Sequence, residues 1–145
     1  MKKLSVAYLV IAIVVLLVIS IKAENITDTK KENAVKSLSL GLSSENSGLR
    51  ASSALILGQL IDSKYINKDK TGSAVVPLMK MLNKGNSDEE RIAAALALYK
   101  IGDNRGIYKL KTSSKFDDSK RVKGICYKLY YEFNRQNNTE YLITN

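Results

Sequence analysis

An internal repeat constrains the fold of this chain more than any other feature of its sequence. Two separate stretches of apolar residues, each at helical spacing, recur further along the chain at one common offset, the separation of Arg50 from Arg91. The other aligned pairs include Ala34 with Val75, Leu38 with Met79, Ala54 with Ala95, Leu57 with Leu98 and Asp62 with Asp103. Because one offset serves two stretches, the pattern predicts repeated units of two helices each.

A weaker third unit follows at a shorter offset, which places Ile107 opposite Val76 and Cys126 opposite Ala95. The longer first offset then predicts an insertion of ten residues in the polar stretch from Asp62 to Gly72, which has the composition of a loop. A helix pair this short cannot bury its own apolar side, so the units are expected to stack. The sequence therefore predicts an all-α chain, a short α-solenoid of about three antiparallel helix pairs.

Capping residues predict where the helices begin and end. In the segment Ser87 to Glu90, Ser87 is expected to accept a hydrogen bond from the backbone of Glu90, whose side chain reaches back. Gly85 and Gly102 are expected to stop helices. Pro77 is expected in a first turn, where its missing N–H costs little. Further helix starts are predicted at Thr29, at Asn46, at Asp103 and in the segment Asp117 to Ser119.

Two strings at equivalent positions, LRASSALILG from Leu49 to Gly58 and RIAAALAL from Arg91 to Leu98, resemble HEAT repeats. The short period is similar to that of bacterial HEAT-like repeats, and the resemblance covers roughly Glu32 to Phe133. It implies a solenoid with a helical surface available for partners, in a family composed mostly of scaffolds and adaptors. It also implies that Arg50, Arg91 and Asp103 hold neighbouring repeats together.

The N-terminus has the pattern of an export signal. Lys2 and Lys3 precede an apolar run from Leu4 to Ile21, and cleavage is expected after Ala23. The same run is just long enough to span a bilayer, so an uncleaved membrane anchor is the alternative. Both alternatives predict a periplasmic or extracellular protein. The predicted divisions are residues 1–23 as signal peptide or anchor, 24–133 as the repeat domain and 134–145 as a polar C-terminal tail.

The composition favours no catalytic chemistry. The chain has no histidine, which removes the commonest general base and the usual metal ligand. The single cysteine, Cys126, lies among apolar residues and is expected in the core. The carboxylates at Asp88 to Glu90 and at Asp117 and Asp118 fall at predicted helix starts, where capping explains them. No catalytic, cofactor or metal site is predicted, and the chain is not expected to be an enzyme.

The third unit is the best candidate for a binding surface because it combines basic and aromatic side chains. Its candidate residues are Lys109, Lys111, Lys120, Arg121, Lys123, Tyr127 and Tyr131. The leading hypothesis is a scaffold or adaptor that binds another protein. The alternative is a protein that binds an anionic membrane surface or glycan through this basic repeat. A third interpretation is a capping repeat with a solvated polar face. Export makes nucleic acid an unexpected partner.

Overall fold

The structure, a computed structural model, describes the backbone of residues 27–143 and the side chains of residues 27–137. The predicted signal or anchor segment and its cleavage position lie outside these residues. The chain divides into two units, Met1–Asn33 and Ala34–Asn145, and the contacts described below belong to the second. Residues 27–143 form helices and connecting turns without a strand, which confirms the all-α prediction. No helix among them is long and apolar enough to cross a membrane.

Six α-helices and one short 3-10 helix make up the described part of the chain. They are α1 at residues 27–41, α2 at Ser47–Asp62, the 3-10 helix at Lys68–Thr71, α3 at Gly72–Lys84, α4 at Asp88–Ile101, α5 at Asn104–Phe116 and α6 at Lys120–Ile143. The helix α6 therefore takes in most of the segment 134–145 that the sequence assigns to a tail.

Helix α4 is the centre of the packing. It contacts α2, α3, α5 and α6, while α5 packs against α6 and α3 against α5. The Oγ atoms of Ser39 in α1 and Ser73 in α3 lie 3.2 Å apart. Four alanines of α4 are buried, together with Leu98 and Ile101. Because alanine adds little bulk, α4 can lie close to helices on several sides at once.

The third unit is shifted by one residue from its predicted register. The starts of α3 and α5 are as far apart in the chain as the starts of α4 and α6, and this common offset is one residue longer than predicted. In the observed register Cys126 corresponds to Ala94 instead of Ala95, and all three are fully buried. The sequence could not separate the two offsets because Ala93, Ala94 and Ala95 are consecutive and alike.

The predicted insertion is more ordered than a polar loop. Residues 63–71 connect α2 to α3, whereas only residues 102–103 connect α4 to α5. The longer connection contains the 3-10 helix, and it buries Ile66 and Thr71 completely or nearly so. The backbone N–H of Ile66 donates to the carbonyl of Leu60 at 3.1 Å, which ties the connection to the end of α2.

Most of the predicted helix caps are present. Asn46, Ser87 and Asp103 accept backbone hydrogen bonds at the starts of α2, α4 and α5. Ser119 Oγ accepts from the N–H of Val122 at 3.3 Å at the start of α6. Gly102 ends α4 with φ at 73°, in the left-handed region that glycine adopts most readily.

Two predicted boundaries are wrong. Residues 27–30 are already helical, so Thr29 lies inside α1 and does not begin it. Pro77 lies in the second turn of α3, because that helix begins at Gly72, directly after the 3-10 helix. Pro77 has no N–H, so the carbonyl of Ser73 lacks its intrahelical donor. Since Ser73 is exposed, water can take the place of that donor.

Arg50, at the start of α2, joins two consecutive helix pairs. Its Nη1 donates to the carbonyls of Ser44 and Glu45 in the preceding turn, at 2.7 and 2.9 Å. Its Nε donates to Glu90, a buried carboxylate in the first turn of α4. The other oxygen of Glu90 accepts from the N–H of Asn86 at 2.9 Å. These bonds keep the pKa of Glu90 below its ordinary value, with the bond from Arg50 the largest cause, although burial opposes the shift.

Arg91 makes the corresponding contacts one unit later. Its Nε donates to the carbonyl of Leu82 near the end of α3 at 2.9 Å, and its Nη2 donates to the buried carboxylate of Asp117 between α5 and α6. Arg50 and Arg91 thus each contact residues of two neighbouring helix pairs. Asp103 differs, because it caps α5 and pairs with Arg105 of the same helix at 3.0 Å.

We predict that Glu90→Gln lowers the free energy of unfolding by about 2–3 kcal/mol at neutral pH, because it removes a hydrogen bond between two charged groups and leaves Arg50 without a carboxylate partner. The folded pKa of Glu90 is lowered from 4.5. Its contribution is therefore complete above that pH and disappears as the pH falls through the lowered folded value. Urea denaturation should show the gap between wild type and variant narrowing below pH 4.5.

The matched control is Glu89→Gln, which removes an exposed ion pair with Arg121 and should have a smaller effect. The prediction would be contradicted if the two variants lost the same free energy of unfolding. It would also be contradicted if the difference in that free energy between wild type and Glu90→Gln did not change with pH.

A second prediction contrasts two glycines. Gly124 is an exposed interior residue of α6, and an added Cβ there would meet nothing within 4 Å, so Gly124→Ala should stabilise the fold by about 1 kcal/mol. At Gly106 the added Cβ would lie 2.9 Å from Cδ2 of the fully buried Leu98, so Gly106→Ala should destabilise it. Thermal unfolding of both variants checks the pair, and a stabilising Gly106→Ala would mean that α4 and α5 pack less closely.

Candidate binding surface

Two of the seven predicted surface residues form contacts between helix pairs. Lys109 Nζ, on α5, donates to Oδ1 of Asn83 on α3 at 2.7 Å. Arg121, in the first turn of α6, pairs with Glu89 at the start of α4. The Glu89 pKa is lowered by a backbone hydrogen bond first and by Arg121 second. Both basic residues therefore contribute to the packing of neighbouring pairs.

The aromatic members of the predicted surface do lie together. Tyr127 and Tyr131 stack one turn apart on α6, with ring centroids 6.3 Å apart and planes inclined by 18°. Both are exposed by about three fifths, 59% and 60%. Tyr130, which the sequence did not single out, has Lys111 Nζ 5.9 Å from its ring centroid, a cation–π contact.

Lys120 and Lys123 complete the predicted set at the start of α6. Lys120 lies seven and eleven residues before the two stacked tyrosines, so helical spacing places all three on one exposed side of α6. The seven residues therefore do not form one surface. The five that remain divide between the side of α6 and the contact of Lys111 with Tyr130.

A second surface, which sequence reasoning missed, lies between α3 and α5. We call it the α3–α5 groove. It has a volume of about 500 Å³ and is lined by Val76, Met79, Lys80, Asn83, Lys84 and Lys109. Asn83 and Lys109 also line a smaller cavity of about 190 Å³, which extends to Thr112 and Phe116 at the end of α5. The two cavities share these residues, so the depression continues along both helices. The smaller cavity is also lined by Arg91, Asp117 and Asp118, so its end near Phe116 has charges of both signs.

The charge of the α3–α5 groove has one sign. Helices α3 and α5 contain no Asp or Glu, and all of their charged residues are basic: Lys80, Lys84, Arg105, Lys109, Lys111 and Lys115. Arg105 is paired with Asp103. Lys80, Lys84 and Lys109 have no ion pair with any carboxylate in the part of the chain that the structure describes. The sequence already shows that these two stretches lack acidic residues. Only the structure shows that the two stretches lie side by side and so form one basic surface.

The remaining reactive groups are engaged in the fold. Cys126 is fully buried, as predicted, and burial is the main cause that raises its pKa to about 12, with the charge of Asp117 second. A thiol with this pKa is a poor nucleophile. Asp88 Oδ2 accepts from Ser119 Oγ at 2.6 Å, between the starts of α4 and α6. Within the described residues, no group of three or more Cys, Asp or Glu residues is placed to hold a metal ion.

Comparison with protein-family models, curated proteins and solved structures gives no match for this chain. The likeness to HEAT repeats therefore stays a prediction from the sequence pattern. The two surfaces, the side of α6 and the α3–α5 groove, must likewise be interpreted from their own shape and charge.

Proposed function

We propose that this protein is an exported, non-enzymatic scaffold or adaptor, a short solenoid of HEAT-like helix pairs that binds another protein through its helical surface. The observation that carries the proposal is that two arginines at equivalent positions each bind a carboxylate in the next helix pair. Arg50 reaches from one pair to Glu90 in the next, and Arg91 reaches to Asp117. Stacked units held by the same link are typical of repeat proteins, whose extended surfaces serve binding.

Exposed apolar side chains support a role in protein binding. Leu49, Leu55 and Ile56 are about half exposed on α2, and Tyr108 and Phe116 are more exposed on α5. Aromatic side chains are enriched in protein–protein interfaces, because they bury a large area at a small cost in conformational entropy. Export is supported by the apolar run from Leu4 to Ile21.

Photo-cross-linking tests this proposal in the full chain expressed in its own host. We expect benzoylphenylalanine at Ile56, Phe116 or Tyr127 to give discrete protein adducts from at least one position, because these side chains are exposed and apolar or aromatic. The same label at Lys64, in the polar connection after α2, serves as the control. Adducts to lipid alone, or no discrete adduct from all three positions, would contradict a scaffold.

The side of α6 favours a second candidate function, binding to an anionic membrane surface or glycan. The stacked pair of Tyr127 and Tyr131 is exposed, and Lys120 lies on the same side of the helix. Tyrosine and lysine together suit a lipid–water interface, where an apolar body and a polar end are both accommodated.

For this candidate, Lys120→Glu with Lys123→Glu should reduce binding of the full chain to phosphatidylglycerol vesicles by at least about tenfold, because both changes reverse the attraction. Wild-type binding should also weaken steeply as salt rises. Co-sedimentation measures both effects. Lys64→Glu with Lys68→Glu has the same change in net charge and is the control. An equal loss in the two double variants would indicate attraction by net charge alone.

A further inference from the structure

The α3–α5 groove combines an apolar lining with a basic rim. Val76 and Met79 supply the apolar side chains, with Val76 half exposed and Met79 half buried. Lys80, Lys84 and Lys109 supply the charge. At the other end of the depression Phe116 is 76% exposed, which is unusual for a side chain of its size and polarity. Apolar contacts are therefore available at both ends. Lys80, Lys84 and Lys109 lie between them, whereas Asp117, which is paired with Arg91, and Asp118 lie beside Phe116.

Lys109 holds a position that an incoming carboxylate could use. Its ammonium group donates to the neutral amide oxygen of Asn83 across the groove, and no carboxylate of the described residues pairs with it. The amide oxygen of Asn83 carries only a partial negative charge, so a carboxylate at the same place would add the attraction between two full charges. An acidic ligand would therefore replace a weaker contact with a stronger one.

The dimensions of the groove suit one helix. The lining residues span positions 76–84 of α3 and 109–116 of α5, so the depression is about 12 Å long at 1.5 Å per residue. About two turns of a helix have that length. A bilayer surface is flat on this scale and would touch the projecting lysines, but it would not reach the half-buried Met79 between the two helices.

We infer that the α3–α5 groove binds an acidic amphipathic helix of another protein. The partner helix places apolar residues one and two turns apart on Val76, Met79 and Phe116, and its Asp and Glu residues face the lysines of the rim. This mode is that of a helix in a groove, in which apolar anchors supply affinity and flanking charges set register and orientation. The inference rests on the proposed scaffold function and names the class of partner and the surface that receives it.

Selection from a displayed peptide library tests the inference. The library has helices of about 16 residues with apolar residues at helical spacing and with all other positions varied among acidic, basic and neutral polar residues. Selection is carried out on the full chain in a non-ionic detergent at about 0.15 M salt, where distant charges are screened. We expect the recovered peptides to be enriched in Asp and Glu. Fluorescence anisotropy then measures their affinity for the variants.

Two groove variants and one control give the comparison. Lys80→Glu with Lys109→Glu should weaken the recovered peptides by at least about tenfold, because it replaces attraction with repulsion. Val76→Asp should weaken them similarly, because it removes an apolar anchor while leaving every lysine in place. Lys64→Glu with Lys68→Glu, in the connection between α2 and α3, has the same charge change as the first variant and should have little effect. Circular dichroism establishes that each variant is folded.

Several outcomes would overturn the inference. They are the recovery of no binding peptide, recovery without acidic enrichment, or an equal loss of affinity in the Lys64 and Lys68 control, which would indicate attraction by net charge alone. Binding to phosphatidylglycerol vesicles that depends on Lys80 and Lys109, in the absence of peptide binding, would assign the groove to a membrane. Self-association in sedimentation equilibrium that Val76→Asp abolishes would assign it to a second copy. Protein adducts from Ile56 or Tyr127 but not from Phe116 would leave the scaffold function standing while the groove assignment fails.

Discussion

The arrangement of helix pairs depends on an arginine that binds carbonyls on one side and a carboxylate on the other. A guanidinium group can do both at once because its five N–H donors lie in one plane, whereas a lysine ammonium is a single compact charge. Arg50 thereby satisfies two carbonyls of the turn before α2 and also the buried Glu90. Each partner would be costly if left alone, since a buried carboxylate without a donor strongly destabilises a fold. Consecutive units are thus fixed in both position and rotation.

Several acidic residues are used in contacts between helix pairs, and within the described part of the chain this leaves basic residues unpaired on the surface of α3 and α5. Asp88, Glu89, Glu90 and Asp117 all lie near the starts of α4 and α6, where each contacts a residue of a neighbouring helix pair. Helices α3 and α5 have no acidic residue of their own. Their adjacency therefore produces a region of one charge sign from a chain whose overall excess of basic residues is moderate.

The fold could be predicted from the sequence further than the candidate site could. The cap at Ser87 and the equivalence of Arg50 with Arg91 follow from local patterns. Ser87 accepts from the N–H of Glu90 as predicted, whereas the Glu90 side chain binds the N–H of Asn86 and not that of Ser87. The register of the third unit could not be fixed, since consecutive alanines in α4 allow two alignments. Local patterns also do not predict that Lys109 binds Asn83 on α3 or that Arg121 pairs with Glu89 on α4. The α3–α5 groove needs the packing of two helices that are separated in the chain by a third.

The connection between α2 and α3 shows how an insertion becomes part of a folded core. Closing a longer loop adds only a term that grows with the logarithm of its length. Ordering its backbone costs far more, about 1–2 kcal/mol for each residue. Burial of a large aliphatic side chain such as Ile66 returns about 1.5–3 kcal/mol, and Thr71 is buried with it. The connection between the helix pairs is therefore packed against the core through Ile66 and Thr71 and is bonded to the end of α2.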